Sequence, residues 1–245
     1  VGETKDDPGT IGDIVLEETR YSAEQEGFFA AEGDESLAPI ARMCVRGLQS
    51  CMHELMFDCP FYEQQMYGGD IRVSLLGATA LTRDDRLTKQ ALQIFDEARD
   101  AEGYVPMNWP SASDQNSTTW LLSWIVAVGD YALWHADVQW LKDRLAGVEH
   151  SLHGVARYEN VRGLLENAWG WNYLDWTADW DSDCCMPPGA AWGKGESAAL
   201  NLLYAFAMQK AAVALSACGE EARAGYWRER ADRLVATVRD VFWSS

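Results

Sequence analysis

The sequence is short of positive charge. Its 20 lysines and arginines face 38 aspartates and glutamates, so the formal net charge at pH 7 is −18. Nucleic acids and anionic membrane surfaces both attract basic patches, and we therefore expect neither as a partner. The basic residues are interspersed with acids, and no run of like charge is long enough to form an interaction tail. An uncharged ligand fits this acidic chain better than a polyanion does.

Cysteine and histidine are also sparse, and neither is spaced for cross-links or metals. The six cysteines include Cys44 and Cys51, one heptad apart, and the adjacent Cys184 and Cys185, while the four histidines are scattered over helical patterns. This spacing predicts no disulfide framework, no metal site and no cofactor, and only a calcium ion in the acidic loops stays open. The compartment stays unknown, although free thiols favour a reducing one such as the cytoplasm.

Long apolar runs are missing as well. No stretch approaches the roughly 20 uninterrupted apolar residues of a membrane span, and no signal peptide is visible. The chain begins at Val1 rather than Met and stops at Ser245, so we expect it to be cut from something longer. Its apolar content of 48% is ample for a core.

Apolar residues spaced three and four apart predict an all-α body over residues 36–245. The patterns predict seven helices, at roughly residues 36–56, 71–81, 86–100, 118–135, 138–158, 197–217 and 220–242. Long, aromatic-rich loops separate helical pairs and no fixed repeat is visible, which favours a toroid of helical hairpins over a solenoid. Seven helices would make this toroid incomplete.

The first 35 residues differ from this helical body. Ile11, Ile14 and Leu16 form a short alternating apolar pattern, which predicts a β-like lead-in. We interpret residues 1–35 as the end of a preceding β-rich module or as a linker. Part of the later stretch 160–196 also has a strand-like pattern.

The 12 tryptophans are an unusually large number for this length. We expect core packing for four that lie in or next to helical patterns: Trp124, Trp134, Trp227 and Trp243. A tryptophan ring also matches the C–H face and hydroxyl rim of a sugar. For the loop-borne set, packing and sugar binding stay equally open: Trp109, Trp169, Trp171, Trp176 and Trp180.

The most informative stretch is residues 58–70, DCPFYEQQMYGGD, which holds three carboxylates: Asp58, Glu63 and Asp70. A proline ends the preceding helix and a Gly-Gly pair precedes the next, so the carboxylates lie in a loop at the mouth of the helical body. Proton donation to a sugar oxygen needs one carboxyl group with a raised pKa beside neighbours that bind hydroxyls. This composition is therefore typical of a glycosidase pocket, although most acidic clusters are only solvated surface.

Two of the three carboxylates can be distinguished by their neighbours. Glu63 follows Phe61 and Tyr62 and precedes Met66, and we expect these apolar side chains to desolvate it and raise its pKa. Asp70 directly precedes a helical pattern, where the simpler expectation is that it caps the helix. Capping does not exclude contact with a ligand.

Residues 58–70 resemble the signature of the α-L-rhamnosidases, glycoside hydrolase family 78, whose pattern is close to DCPxREraGWxGD. The resemblance implies an (α/α)6 barrel and inverting hydrolysis of terminal α-L-rhamnosyl linkages. Carried over by position, Glu63 would be the general acid that protonates the departing oxygen. Asp58 and Asp70 would bind the sugar hydroxyls, and Tyr67 falls where the family often has a stacking Trp.

Later segments extend the resemblance from about Tyr21 onward. RYSAEQEGFFAAEGDES resembles the family's lead-in to the first barrel helix, and WLLSWIVAVGDYALWHAD resembles a helix of its third hairpin. NYLDWTADW resembles a segment in which an Asp-Trp pair faces the sugar, which implies Asp175 and Trp176 as binding residues, with Trp120 as an aromatic wall. Tyr62 replaces the usual Arg, and Met66-Tyr67 replaces Gly-Trp, which implies a divergent subgroup.

The resemblance leaves the general base unassigned. Inversion requires a second carboxylate about 6.5–9.5 Å from the acid, so that a water fits between them. In the family this base comes from a late hairpin, and the chain stops before it, so we expect a missing C-terminal segment. A homo-oligomer is the other expected partner. Four acids lie in suitable loops, but none can be matched to the base: Glu166, Asp179, Asp181 and Glu196.

Three other interpretations stay open. One is another (α/α)6 glycosidase, such as an unsaturated glucuronyl hydrolase or a glucoamylase-like protein, but an acidic sugar requires a basic pocket residue and Arg72 is the only obvious candidate. The second is a sugar-binding or scaffold protein that lacks catalysis. The third is a body that needs a partner segment to cover its last two helices.

Overall fold

The structure is a computed structural model that describes residues 12–135, 137–177, 180 and 195–243. These residues form seven helices and no β-strand. The helices are α1 (Leu37–Cys51), α2 (Asp70–Leu81), α3 (Arg86–Glu97), α4 (Thr118–Trp134), α5 (Val138–Ala156), α6 (Ala198–Ala217) and α7 (Glu221–Phe242). The all-α prediction is confirmed, and each helix begins within one residue of its predicted start.

Polar side chains at three helix starts explain why those boundaries are readable from sequence. Ser and Asp oxygens there accept a hydrogen bond from the backbone N–H three residues on, which satisfies one of the donors that a helix start leaves free. These caps are Ser117 to Trp120 (3.3 Å), Asp137 to Trp140 (3.0 Å) and Ser197 to Leu200 (3.4 Å).

Long and short connections alternate along the chain. The short connections, residues 82–85, 135–137 and 218–220, have three or four residues each, and Gly219 makes the last with a φ of +82°. The long ones are residues 52–69, 98–117 and 157–197. Isolated bridges join the three long connections to one another, Tyr67 to Asn108 and Ser117 to Gly170, so they lie at the same end of the helices. This end holds residues 58–70.

The helices pack in two layers. Helices α2, α4 and α6 lie side by side in one layer, while α3, α5 and α7 pack against them from the other. Helix α4 is buried on nearly all sides, as expected for an inner helix. Helix α6 is long and apolar enough to cross a membrane by length and composition alone. Much of its surface is instead covered by α4, α5 and α7, as in the core helix of a folded domain.

A buried ionic network links the three inner helices. Asp130 on α4 accepts a hydrogen bond from Nε of Arg72 on α2 at 2.8 Å, and its other oxygen pairs with Lys210 on α6. Both cations also lie 5.5 Å from the ring centroid of Phe206. Since a buried carboxylate is stable only when it is paired, this network fixes how the three helices pack.

Two boundary expectations are corrected by the structure. The described part of the lead-in forms no strand, and the side chains of Ile14 and Leu16 are exposed because no second strand covers them; Ile11 lies outside the described residues. Helix α1 ends at Cys51 rather than near residue 56. Met52 and Met56 form an isolated antiparallel bridge, so the chain turns back and buries both side chains without helix.

The tryptophan expectation is confirmed in part, and the strand expectation is wrong for the described residues. Trp124 and Trp227 are fully buried, but Trp134 is 65% and Trp243 80% exposed, because each lies at the end of its helix beyond the packed layers. The described parts of residues 160–196 form isolated bridges rather than the partial strand that their pattern indicated.

Candidate active site

The loop over residues 58–70 is closed by its own backbone. Asp58 donates its N–H to the carbonyl oxygen of Gln65 at 2.9 Å, and the N–H of Gln65 donates to Oδ1 of Asp58 at 2.9 Å. Gln64 adopts a left-handed φ of +51°, and its side-chain amide donates to the carbonyl oxygen of Pro60 at 2.9 Å. This compact turn presents Glu63 at its outer edge.

Glu63 is exposed, so the expectation that its apolar neighbours desolvate it is wrong. The rings of Phe61 and Tyr62 pack edge to face at 5.2 Å, but both are exposed, Tyr62 to 89%. The N–H of Glu63 donates to Sγ of Cys59 at 3.2 Å, which fixes the backbone while the carboxylate stays accessible.

The carboxyl group of Asp70 has a raised pKa. Surrounding protein atoms exclude part of the water from this carboxyl group, and the nearby charge of Asp58 then opposes its ionisation, which together raise the pKa of Asp70 to about 6. Asp70 as a whole residue is nevertheless exposed, as Glu63 is, so water is excluded from only part of its carboxyl group. Asp70 is the first residue of α2 and Gly69 precedes it as the cap, so the expected N-cap role is wrong.

Tyr67 joins the carboxylates into one interacting group. Desolvation of its half-buried hydroxyl raises the pKa of Tyr67, and hydrogen bonding to Glu63 and the charges of Glu63, Asp58 and Asp70 raise it further. The structure therefore brings together the four residues of this loop that the sequence singled out. Their mutual influence follows from like charges and a phenol sharing a small volume.

Trp120 lies directly against the start of α2. A Cβ atom on Gly69 would be 2.8 Å from Cε2 of Trp120, and one on Gly68 would be 3.2 Å from the Trp120 carbonyl oxygen. Only glycine permits this approach of the loop to the first turn of α4. The indole N–H of Trp120 is buried and has no hydrogen-bond partner among the described residues.

An array of aromatic rings continues from Trp120 into the third long connection. Tyr173 is its centre, with its ring centroid 5.1 Å from Trp120, 5.0 Å from Trp171 and 5.4 Å from Trp176. Trp176 is 71% exposed at the outer edge, and the adjacent Asp175 is also exposed. Oδ1 of Asp175 accepts the N–H of Trp176 at 2.7 Å. Ring contacts through Tyr173 thus connect Trp176 to Trp120, which lies beside Asp70.

Two residues that the sequence analysis missed hold the loop to its surroundings. Asn108, in the second long connection, donates through Nδ2 to the side-chain oxygen of Gln65 at 2.8 Å. Gln65 could have been found, because it lies within the motif two residues after Glu63. Asn108 carries no such signal, because it is 43 positions away and only the fold brings it near.

The four acids that could not be matched to a base remain unmatched. Glu196 is paired with Arg162, and the side-chain amide of Asn160 donates to both Glu196 and Glu166. Asp179 and Asp181 lie outside the described residues. Across the described ranges, no cluster of three or more His, Cys, Asp or Glu side chains could hold a metal ion.

Comparisons with known proteins identify the family of this chain. The bacterial alpha-L-rhamnosidase 6 hairpin glycosidase domain matches residues 24–245. A family 78 rhamnosidase of Bacillus sp. GL1 superposes with a TM-score of 0.81 and 24% identity, over 92% of this chain and 22% of that one. A rhamnosidase from Klebsiella oxytoca with rhamnose bound gives 0.74 and 20%, over 88% and 40%.

The same fold occurs in an α-L-rhamnosidase of Streptomyces avermitilis complexed with L-rhamnose, with a TM-score of 0.69 and 16% identity over 87% of this chain and 19% of that one. The chain thus spans about a fifth to two fifths of the length of these three solved structures. A comparison with curated protein sequences found no match. With its family match over residues 24–245, the chain belongs to the bacterial α-L-rhamnosidase six-hairpin glycosidase family.

Proposed function

We propose that this protein hydrolyses terminal α-L-rhamnosyl linkages with inversion of configuration, and that Glu63 is the general acid. The observation that carries the proposal is the interacting group of Asp58, Glu63, Tyr67 and Asp70 at the long-loop end of the helices. A general acid must reach the glycosidic oxygen of a bound sugar. The accessible carboxylate of Glu63 at the edge of the loop meets that requirement.

Sugar binding would use the residues around Glu63. Asp58 and Asp70 would accept hydrogen bonds from the sugar hydroxyls, and a protonated Asp70, favoured below about pH 6, could also donate one. Tyr67, Trp120 and Trp176 offer flat faces for the C–H groups of the ring. Asp175 borders the same aromatic array, beside Trp176.

The substrate would be a neutral deoxy-sugar rather than a uronic acid. Arg72, the basic side chain nearest in sequence to the motif, is held by Asp130 within the ionic network of the inner helices. A guanidinium that already pairs with one carboxylate is less able to bind the carboxylate of a uronic acid. This observation lowers the weight of the unsaturated glucuronyl hydrolase alternative.

A substrate panel on the full-length protein tests the proposal. An aryl α-L-rhamnoside should be hydrolysed and the matched aryl β-D-glucuronide should not, and proton NMR should detect β-L-rhamnose as the first product if configuration inverts. Retention of configuration would contradict the mechanism. Rhamnose binding in a calorimeter without turnover of any rhamnoside would instead support a binding protein.

A further inference from the structure

The second long connection, residues 98–117, is joined to the loop over residues 58–70 by main-chain hydrogen bonds. Gly68 donates its N–H to the carbonyl oxygen of Met107 at 2.9 Å, and Trp109 donates to the carbonyl oxygen of Met66 at 3.0 Å. Tyr67 and Asn108 form the antiparallel bridge between these two bonds. This short ladder sets the register of the two loops, so Asn108 is directly opposite the motif.

The side chain of Asn108 makes the contact that reaches furthest into the motif. It is 2% exposed, and its Nδ2 donates to Oε1 of Gln65 at 2.8 Å, with longer contacts to Ser111 at 3.3 Å and Ser113 at 3.5 Å. The backbone of Gln65 in turn makes both hydrogen bonds that hold Asp58. A continuous line of hydrogen bonds therefore runs from Asn108 through Gln65 to Asp58.

The carbonyl oxygen of the Asn108 side chain has no hydrogen-bond partner among the described residues. Burying an amide oxygen without a partner costs about 1–3 kcal/mol, which offsets most of what the Nδ2 bond contributes to folding. The stability of the fold therefore gives little reason for an asparagine here. Its one short side-chain bond is to the residue that holds Asp58.

We infer that Asn108 is a positioning residue, which acts through Gln65 to hold Asp58 in place for the sugar. The inference deepens the proposed function and rests on it. It assigns a role to a residue outside the motif, on a different connection of the fold. A group that sets a reacting partner to within about 1 Å can influence turnover by about 100-fold without touching the substrate.

A double-mutant cycle tests this role. Asn108→Ala and Gln65→Met each remove one end of the hydrogen bond, and each should lower kcat/KM on an aryl α-L-rhamnoside by about 10- to 100-fold. The double variant should lose no more kcat/KM than the less active of the two single variants, because both substitutions break the same line of hydrogen bonds. The midpoint of thermal unfolding should stay close to wild type, which a merely structural asparagine would not allow.

Asn116→Ala is the matched control. It removes the same group from the same connection, where the amide donates to the exposed Asp114, and it should leave kcat/KM unchanged. Fully additive losses in the cycle would overturn the inference. If Asn108→Ala fails to fold, Gln65→Met alone must still lower kcat/KM at least tenfold, and wild-type activity in that variant would overturn the inference too.

A second readout keeps this test separate from the proposed function. The charge of Asp58 helps to raise the pKa of Asp70, so a displaced Asp58 should let the Asp70 carboxyl titrate at lower pH in an NMR titration of Asn108→Ala. If the protein hydrolyses no rhamnoside, the proposed function fails, and the Asp70 titration alone then tests whether Asn108 holds Asp58 in place. An unchanged Asp70 titration would then overturn the positioning role.

Discussion

The indole ring of Trp120 packs against the backbone of Gly69, closely enough that a Cβ atom on Gly69 would lie 2.8 Å from Cε2. This contact joins the start of α4 to the start of α2, directly beside Asp70. It also explains physically why the motif contains a Gly-Gly pair. The Trp120 ring and the loop that holds Asp70 are therefore in direct contact, and a substitution that moves one should also move the other.

We expect Gly69→Ala to force the Trp120 ring aside. Overpacking of this kind lowers the free energy of unfolding by about 1–3 kcal/mol, and it should also weaken rhamnose binding because the ring and the loop shift together. Chemical denaturation and calorimetry measure the two effects. Gly47→Ala is the control, since no atom lies within 4 Å of its added Cβ on α1. That variant should be about 0.5–1 kcal/mol more stable than wild type.

The raised pKa of Asp70 predicts a pH-dependent stability difference. The ordinary pKa is 3.8 and the folded value is about 6, so the folded protein binds this proton more tightly than the unfolded chain does. The stabilisation that it provides is complete below about pH 4 and is lost as pH rises through 6. Because the side chain is partly solvated, the difference should be no more than about 1 kcal/mol.

Asp70→Asn removes this titration. The variant and the wild type should have equal stability near pH 3.5, and the variant should become the more stable one above pH 6. Denaturant unfolding at pH 3.5, 5 and 7.5 measures the difference. An offset that stays constant over this range would contradict the raised pKa.

The helical body was predictable from sequence because its signals are local. Apolar spacing and caps such as Ser117, Asp137 and Ser197 determine where helices begin, and the structure follows them. Helix α1 was extended too far because Met52 and Met56 fit the helical spacing but are buried by a turn. Periodicity alone does not distinguish these two ways of burying a side chain.

The candidate site was less predictable, because its properties depend on contacts between distant residues. The motif predicted a desolvated Glu63, but Glu63 is exposed. The pKa of Asp70 is raised by desolvation and by the charge of Asp58. How far water is excluded from a carboxyl group depends on the atoms that pack around it, and at Asp70 the fold brings those atoms together. The hydrogen bond from Asn108 to Gln65 could not be predicted for the same reason, because the two residues are 43 positions apart.

The ionic network of the inner helices should make Asp130 critical for stability. Asp130→Ala would leave Arg72 and Lys210 without their shared carboxylate, and breaking a buried pair in this way costs about 3–5 kcal/mol. Glu229→Ala removes an exposed partner of Arg233 and should cost less than about 1 kcal/mol. Denaturant midpoints compare the two variants. Equal, small losses would contradict a structural role for the network.

The most direct test of the account asks whether Glu63 donates a proton to the leaving group. In the full-length protein, Glu63→Gln should lower kcat/KM about 10²- to 10⁴-fold on an alkyl α-L-rhamnoside, whose leaving oxygen needs that proton. It should lower kcat/KM far less on a 2,4-dinitrophenyl α-L-rhamnoside, whose leaving group departs without protonation. Glu54→Gln, an exposed position in the same connection, should change neither. Equal losses on both substrates, or wild-type turnover of the alkyl rhamnoside, would contradict Glu63 as the general acid.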